Sequence, residues 1–310
     1  METLQQLLKN IELSTAQIFG ALTVIPLVRS VTGSADYWTL DEAMAHNWVT
    51  ITEVSEAGAV PELLCSNTSD RSVLLLDGEE VERAKQNRIF NLTLLVPAHT
   101  NLNIPVSCVE QGRWRYRSRT FKTAKHTYHA SGRAKKIQQV TRALKQQGRP
   151  YADQHQIWAE VDEHLEVLEC DSPTSAMADL YAQELPKLAD YTAAFQAITN
   201  QVGAIFALNG QIWGLELFDF PSTFAQLLPK LLPSYALEVR GVPDPTPLAP
   251  QAVTDFLQNL SQADAETFPA LAEGLDIRLS SPTVVGSALV AKERVIHVSA
   301  FPNTLATETY

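Results

Sequence analysis

The sequence predicts an α+β fold, with an antiparallel, sandwich-like β part first, a helical hairpin next and a mixed α/β part last. Three observations lead to this class. Residues 48–108 contain short apolar and alternating runs separated by turn residues, which is typical of antiparallel strands. Residues 133–168 contain two segments with apolar residues at helical spacing. Asn209-Gly210 separates two apolar runs, and this pair is a strong hairpin signal because both residues tolerate positive φ.

Composition limits the number of domains and the compartment. The 310 residues are 45% hydrophobic and 19% charged, which is enough apolar material for a large core. We expect one compact unit or two intimate domains, with a β-rich part at 1–120, a helical part at 121–200 and an α+β part at 201–310. The three cysteines are widely spaced, and the first residues lack the pattern of a secretory signal. We therefore expect a cytoplasmic protein without a membrane segment.

Charge is distributed unevenly along the chain. The net charge is −11, yet residues 111–149 contain twelve Lys or Arg and no Asp or Glu, which leaves 12 basic and 35 acidic residues elsewhere. Three explanations are open: the basic segment folds against an acidic helix, binds a phosphate-bearing ligand, or binds nucleic acid. The first is favoured because a charge run is usually a structural or solvated face.

Local signals predict the elements of the first third. Residues 5–13 have helical spacing, and Leu22–Val28 has the composition of a strand. Thr39 and Glu42 have the spacing of a capping box at a helix start. Asp77-Gly78 fits the two-residue turn of a hairpin. Further strands are expected at 48–54, 62–66, 72–76, 88–96 and 101–108.

The middle and last thirds contain more helices. A basic helix at 133–147 and an acidic one whose apolar stripe runs from Ile157 to Leu168 flank the turn at Gly148, which predicts an antiparallel hairpin with ion pairs of about 0.2–1 kcal/mol each. The helix that begins at Pro221 is expected to be capped by Ser222 or Asp219, the alternative being an anion at its N-terminus. Other helices are predicted at 173–183, 185–197 and 252–260, strands at 201–208, 211–218, 283–291 and 294–299, and a linker at 241–250.

The densest polar group interrupts a region that otherwise has the pattern of buried sheet. Carboxylates beside Lys and Arg can form a proton-transfer pair or a substrate clamp, and several carboxylates together can hold Mg²⁺. The alternative is a plain hairpin turn with solvated glutamates. The candidate catalytic residues are Asp77, Glu79 and Glu80, and the candidate ligand-binding residues are Lys85, Asn87, Arg88 and Asn91.

A second polar group follows the strand that ends near Cys108. Glu110, Arg113 and Trp114 join the candidate ligand-binding residues, because Arg matches a phosphate or carboxylate and Trp offers a face for a base. Cys108 lies in an apolar strand, so an inert packed thiol is expected rather than a nucleophile.

His126 and His129 raise the question of a metal site. Neither has a Cys or a carboxylate at the usual zinc spacing, so we expect a polar loop there. The sequence contains no P-loop, GxGxxG, HExxH or GxSxG motif, which lowers the prior for several large enzyme classes. No motif in the sequence is specific enough to identify a reaction.

Several stretches resemble one protein family: LLLDGEEVERAKQNRIFNLTLLVPA, IPVSCVEQGRWRY, VGAIFALNGQIWGLELFD and GSALVAKERVIHVSAF. They are similar to a bacterial family named for its association with ADP-ribosylglycohydrolases and rhodanese-type phosphatases, and the resemblance covers residues 19–301. It implies a setting in NAD or ADP-ribose metabolism and points to the same polar residues as above. Glu82 and Arg83 depart from the family pattern and are left out of the predicted site.

The leading hypothesis is a protein that binds, or binds and hydrolyses, an ADP-ribose-like or other nucleotide-derived ligand. Lys85, Arg88 and Arg113 would meet phosphates, Trp114 would stack on a base, and the carboxylates would orient a ribose, a water or Mg²⁺. The alternative is a non-catalytic protein that docks a protein or RNA partner through residues 111–149, with Arg133, Lys135 and Lys136 as contacts. A Cys108-dependent enzyme is a third hypothesis.

Overall fold

Strands and helices follow each other in the blocks that the sequence predicts, which confirms the α+β class. The computed structural model describes residues 3–55, 61–115, 118–239 and 246–307. Numbered along the chain, the strands are β1 (Glu12–Leu13), β2 (Gln17–Phe19), β3 (Leu22–Val28), β4 (Tyr37–Thr39), β5 (Val49–Glu53), β6 (Glu62–Asn67), β7 (Ser72–Leu75), β8 (Glu79–Arg83), β9 (Arg88–Phe90), β10 (Leu94–Val96), β11 (Thr100–Cys108), β12 (Phe121–Thr127), β13 (Gln201–Leu208), β14 (Gln211–Phe218), β15 (Asp264–Pro269), β16 (Leu275–Ser280), β17 (Val284–Ala291) and β18 (Arg294–Pro302). The helices are α1 (Leu4–Lys9), α2 (Leu40–Ala45), α3 (Ala130–Gln147), α4 (Gln154–Val167), α5 (Met177–Gln183), α6 (Leu185–Ala194), α7 (Pro221–Ala236), α8 (Pro250–Ser261) and α9 (Asn303–Ala306).

The largest sheet is antiparallel and joins the beginning of the chain to its end. Its strands run in the order β1-β3-β13-β14-β18-β17-β16-β15, and β2 pairs with β3 as well. Asn209 and Gly210 connect β13 to β14 with φ of 48° and 75°, which confirms the predicted hairpin. Both faces of this sheet are covered. Ile205 packs in the cluster that includes Phe256 of α8, whereas its neighbour Phe206 points the other way and stacks on Tyr235 of α7 at 4.0 Å.

The first third of the chain forms two smaller sheets around a shared core. One has six strands in the order β12-β8-β9-β11-β6-β5, and the other has three in the order β10-β7-β4. All pairs in them are antiparallel except β4 and β7, which run parallel. Val73 and Leu75 of β7 face the core between these sheets, and Leu74 faces the core around the large sheet. The three-stranded sheet therefore connects the two cores.

Asp77-Gly78 is a turn, but the predicted hairpin around it is wrong. The strands on either side, β7 and β8, belong to different sheets and do not pair. The Glu79 amide donates to the Leu76 carbonyl at 3.0 Å, and Gly78 has φ of +79°, a conformation that favours glycine. The turn thus carries the chain from one sheet to the other.

The antiparallel pairing of α3 and α4 is confirmed. Lys135 lies 2.5 Å from Glu160, and four residues further along α3 Gln139 contacts Gln156, four residues earlier on α4. The predicted ion pairing accounts for only part of the basic segment, because the fully buried Arg133 and Lys136 point into the core. Two of the three residues expected in a docking surface are therefore closed to a partner.

Helix ends agree with the sequence in part. The capping box of Thr39 and Glu42 is confirmed. The predicted cap of α7 is wrong: no side chain caps this helix within the described ranges, and Asp219 instead accepts hydrogen bonds from Tyr37 and Arg294. The helix predicted over residues 5–13 ends at Lys9. Residues 241–245, the first half of the predicted linker, lie outside the described residues. Across the described chain, the helices lack the combined length and apolar character that crossing a bilayer requires.

Candidate functional site

A cavity of about 920 Å³ lies between β12 and the helices α5, α6 and α7. We call it the helical cleft. Its volume falls in the range of about 300–1,000 Å³ that is usual for small-molecule sites. Its apolar wall contains Tyr181, Leu185, Leu188, Pro229 and Pro233. Its polar side chains are Asp41, Glu82, Lys125, His126 and Lys230, with Gln226 and two Thr.

One end of the cleft is built on β8 and β12. Glu80 and Glu82 are two residues apart on β8, so their side chains leave the same face of the strand. On β12, the four steps from Thr123 to Thr127 match only two steps on β8, and this bulge re-aims the side chains between them. Nε2 of His126 lies 2.5 Å from Oε2 of Glu80, and the Tyr181 ring stacks on the imidazole at 3.7 Å.

Burial dominates the electrostatics of this end. It lowers the pKa of His126 to about 3, so the imidazole is neutral at physiological pH. It also raises the pKa of Glu80 well above the usual range, and the carboxylates of Glu110 and Asp179 act in the same direction. Oε1 of Glu80 is buried and accepts no hydrogen bond from the described residues. Glu80 and His126 thus share one proton, and Oε1 of Glu80 remains without a hydrogen-bond donor in the described part of the chain.

The other end of the cleft holds a cation between two carboxylates. Nζ of Lys230 lies 2.6 Å from Oε1 of Glu79 and 2.6 Å from Oδ2 of Asp41. Burial lowers the pKa of Lys230, but Glu79 and Asp41 outweigh it, and the net shift is upward. Glu79 is fully buried, whereas the Asp41 side chain is 43% exposed. Lys230 therefore stays charged and connects the interior to the cleft.

The structure separates the predicted site residues into three groups, and none of them lines the helical cleft in the described part of the chain. Glu79 and Glu80 lie just behind its lining, in contact with Lys230 and His126. A second group comes together around the Trp114 indole: Lys85, Asn87, Arg88, Glu110, Arg113 and Trp114. Asp77 and Asn91 lie in the core.

Within the second group, Arg113, which was predicted to bind a phosphate, is already paired with a carboxylate. Arg113 donates to both oxygens of Glu110, at 2.7 and 2.6 Å. Glu110 also accepts from the backbone amide of Asn87 at 3.1 Å. Burial raises the pKa of Glu110, but the Arg113 guanidinium outweighs it and holds that pKa below its usual range. This is a bidentate ion pair that fixes the loop after β11 to the loop before β9.

Trp114 covers the other two cations of this group. Its ring is 47% exposed and lies 5.1 Å from Nζ of Lys85 and 5.7 Å from Cζ of Arg88. Nε and Nη2 of Arg88 are buried and donate to no described residue, and burial lowers the pKa of this guanidinium. Cys108 is buried beside Arg88, and burial raises its thiol pKa, which agrees with an inert thiol.

Asp77 belongs to a buried chain of polar contacts that links the sheets. It pairs with Lys136 of α3, and its backbone amide donates to Thr93 at 3.1 Å. Thr93 contacts Nδ1 of His297 at 2.9 Å, whose Nε2 lies 2.8 Å from Glu216. Glu216 in turn contacts Nη1 of Arg133 at 2.5 Å, also on α3. Asn91 accepts from Ser107 and donates to the Pro150 carbonyl, so it too is satisfied in the core.

The polar loop predicted around His126 and His129 is wrong, since both histidines are buried. His126 lies on β12, and His129 is the N-cap of α3, with Nδ1 accepting from Gly132 at 3.1 Å. Sequence reasoning missed Glu82, His126, Tyr181 and Lys230 as residues of one cleft. The alternation of Glu80 and Glu82 was the only local signal, because the bulge that brings His126 to them is a property of strand pairing.

Comparisons with known proteins give one result. A search of curated proteins and a search of solved structures found no match. A family model matches residues 10–301, nearly the whole chain. The chain therefore belongs to the ARG and Rhodanese-Phosphatase-superfamily-associated Protein domain family.

Proposed function

We propose that the helical cleft binds an ADP-ribose-like or other nucleotide-derived phosphate ligand. The observation that carries the proposal is the cleft itself, a cavity of about 920 Å³ with an apolar wall and charged groups at its edges. Sites for small molecules combine a mostly apolar surface with a few placed polar groups. The family name adds a metabolic setting, since it links the domain to ADP-ribosylglycohydrolases.

The cleft offers different chemistry along its length. Leu185, Pro229 and Pro233 form an apolar surface that suits the face of a base and the carbon side of a ribose. Lys125 is exposed, so its ammonium can approach phosphate oxygens, whereas Nζ of Lys230 is already held by Glu79 and Asp41. Asp41 and Gln226 supply acceptors and a donor for ribose hydroxyls. Binding of such a ligand would use all three.

The test is a ligand titration of the wild-type protein and of variants inside and outside the cleft. Isothermal titration and thermal shift would be measured with ADP-ribose, ADP and ribose 5-phosphate. At about 100 times its dissociation constant, a ligand adds about 2.7 kcal/mol of stability. Ala189→Trp would fill the cleft and abolish the shift, whereas Ala194→Trp, an exposed alanine of the same helix outside the lining, would keep it.

Two outcomes contradict the proposal. One is a flat titration with all three compounds. The other is a shift that survives Ala189→Trp, which would place the ligand outside the helical cleft. Chromatography of the ADP-ribose mixture after incubation tests whether the ligand is also hydrolysed, as the association with ADP-ribosylglycohydrolases leads us to ask.

A further inference from the structure

We infer that Glu80, Glu82 and His126 form a divalent-cation site at the inner end of the helical cleft. One ligand atom from each, two carboxylate oxygens and an imidazole nitrogen, lie within 4.8 Å of one another. The inference does not depend on which ligand the cleft takes, and it is tested without any nucleotide.

The strand geometry explains why these three side chains meet. Glu80 and Glu82 share a face of β8, so the two carboxylates start from neighbouring points on one side of the sheet. Without the bulge in β12, residues on that strand would alternate in step with β8. The extra residues between Thr123 and Thr127 turn His126 toward the carboxylates. The bulge thus accounts for the imidazole lying on the same side as the two carboxylates.

An unpartnered acceptor provides an independent reason to expect a ligand. Glu80 is 0% exposed, and its Oε1 accepts no hydrogen bond from the described residues. Leaving a buried polar atom unpaired costs about 1–3 kcal/mol, so such atoms usually have a water, an ion or a function. The second oxygen, Oε2, lies 2.5 Å from Nε2 of His126, a contact that needs a proton between them. A cation would take the place of that proton and bind the carboxylate.

The three ligands can close around a metal with small movements. Around a tetrahedral zinc ion, ligand atoms lie about 3.3–3.6 Å apart, given metal–ligand distances of about 2.0–2.2 Å. The contact between Glu80 and His126 must therefore lengthen slightly, and the carboxylate of Glu82 must move inward. Glu82 is partly exposed and lines the cleft, so it can rotate, and a cation can enter past it.

The ligand set selects the kind of cation. One imidazole and two carboxylates suit Zn²⁺ or Mn²⁺, whereas Ca²⁺ and Mg²⁺ prefer oxygen ligands alone. The site has three protein ligands and borders a cavity, which leaves a coordination position on the side of the helical cleft. Such an open position is the mark of sites that bind a water or a substrate oxygen rather than purely structural sites.

The experiment measures cation binding by the whole chain. Protein freed of metal with a chelator would be titrated calorimetrically with Zn²⁺, Mn²⁺ and Mg²⁺. We expect one Zn²⁺ or Mn²⁺ per chain and weaker binding of Mg²⁺. Glu82→Gln and His126→Gln should each weaken Zn²⁺ binding at least tenfold, roughly the lower limit for disturbing a metal site. Glu166→Gln and His155→Gln, which change exposed residues of α4, should leave it unchanged.

Zinc that binds Glu82→Gln as tightly as the wild-type protein, or a wild-type protein that binds neither Zn²⁺ nor Mn²⁺, would overturn the inference. Far-UV circular dichroism and thermal unfolding in chelator show whether each variant is folded. Should His126→Gln fail to fold, Glu82→Gln decides, because Glu82 is only partly buried. Metal binding without an ADP-ribose signal would support the cation site and reject the proposed ligand, and the reverse result would do the opposite.

Discussion

Nη1 of Arg133 lies 2.5 Å from a carboxylate oxygen of Glu216, and both side chains are fully buried. The contact joins α3, from the middle of the chain, to β14 of the large sheet. Burial lowers the Arg133 pKa, but Glu216 leads the neighbours that outweigh this and raise it. Burial raises the Glu216 pKa, but Arg133 and His297 outweigh it and hold that pKa below its usual range, so the ion pair is present at neutral pH.

Replacement of Arg133 should be strongly destabilising. Arg133→Met leaves the buried Glu216 with contacts to His297 and Tyr235 but without its permanent cation, which costs about 3–5 kcal/mol. Urea unfolding followed by circular dichroism measures this loss. Arg142→Met on the exposed side of α3 should change the free energy of unfolding by less than about 0.5 kcal/mol. Similar losses for the two variants would contradict the claim that the buried ion pair contributes more to stability than an exposed arginine.

Gly78→Ala should be more harmful than the same change at another left-handed glycine. Gly78 has φ of +79°, and a Cβ there would meet the Arg133 side chain at 3.0 Å. Gly148 has φ of +66°, but nothing lies within 4 Å of its added Cβ. Both variants lose about 1 kcal/mol from the backbone conformation. Only Gly78→Ala should lose more, and equal losses in urea unfolding would contradict the crowding argument.

Acidification should begin to destabilise the protein at pH values well above the pKa of its carboxylates. Burial lowers the pKa of His129 to about 4, with the stacked His164 and Lys135 acting in the same direction and Glu238 opposing them. In the unfolded chain the ordinary pKa of about 6.5 applies. The unfolded state therefore binds the proton first, and stability falls as the pH drops from 6.5 to 4, by up to roughly 3 kcal/mol.

A variant can isolate this histidine. His129→Asn keeps an acceptor at the N-cap of α3 and should reduce the slope of the stability profile between pH 6.5 and 4, leaving the part that His126 contributes through its own pKa of about 3. Glu238, whose pKa lies well below its usual range, adds a further loss that begins only below about pH 4.5. His155→Asn, an exposed change, serves as the control. An unchanged slope in His129→Asn would show that another group causes the pH dependence.

Arg113 should matter for stability and not for binding in the helical cleft. Arg113→Met removes the bidentate partner of the buried Glu110, which we expect to cost about 3–5 kcal/mol. Any ADP-ribose affinity should persist in the folded variant, since Arg113 does not line the cleft. Arg119→Met is the exposed control. Loss of affinity at full stability would instead place the ligand beside Trp114.

The three cysteines should differ sharply in reactivity. Cys65 and Cys108 are 0% exposed, and burial raises the pKa of Cys65 to about 12. Cys170 is only partly buried. Iodoacetamide at neutral pH should therefore modify Cys170 first, as mass spectrometry of the peptides can show. Rapid modification of Cys108 in the folded protein would revive the hypothesis of a cysteine nucleophile.

Sequence signals predicted the elements whose cause is local. Leu22–Val28 is apolar except for Thr23, Thr39 and Glu42 cap each other, and Asn209-Gly210 has the backbone freedom of a tight turn. Each of these depends on residues within a few positions. That is why the strand, the helix start and the hairpin were all found.

The site could not be predicted in the same way because its contacts are distant in the chain. Lys230 reaches Glu79 across 151 positions, and His126 meets Glu80 across 46. The Asp77-Gly78 turn has the composition of a hairpin, but long-range pairing sends its two strands to different sheets. The predicted polar residues were correctly seen as unusual within a buried region, and most of their partners lay beyond the reach of a local pattern.

The position of β3 in the large sheet has a consequence for synthesis of the protein. Its partner β13 is made much later, since Leu22 pairs with Leu208. At about 5–20 residues per second, a ribosome needs roughly 10–40 s to make the intervening chain. During that interval β1 and β2 can pair with one edge of β3, but the edge that β13 later covers presents open backbone groups to its surroundings. We therefore expect folding in the cell to require that this edge of β3 stays unpaired with other chains until the last third has emerged.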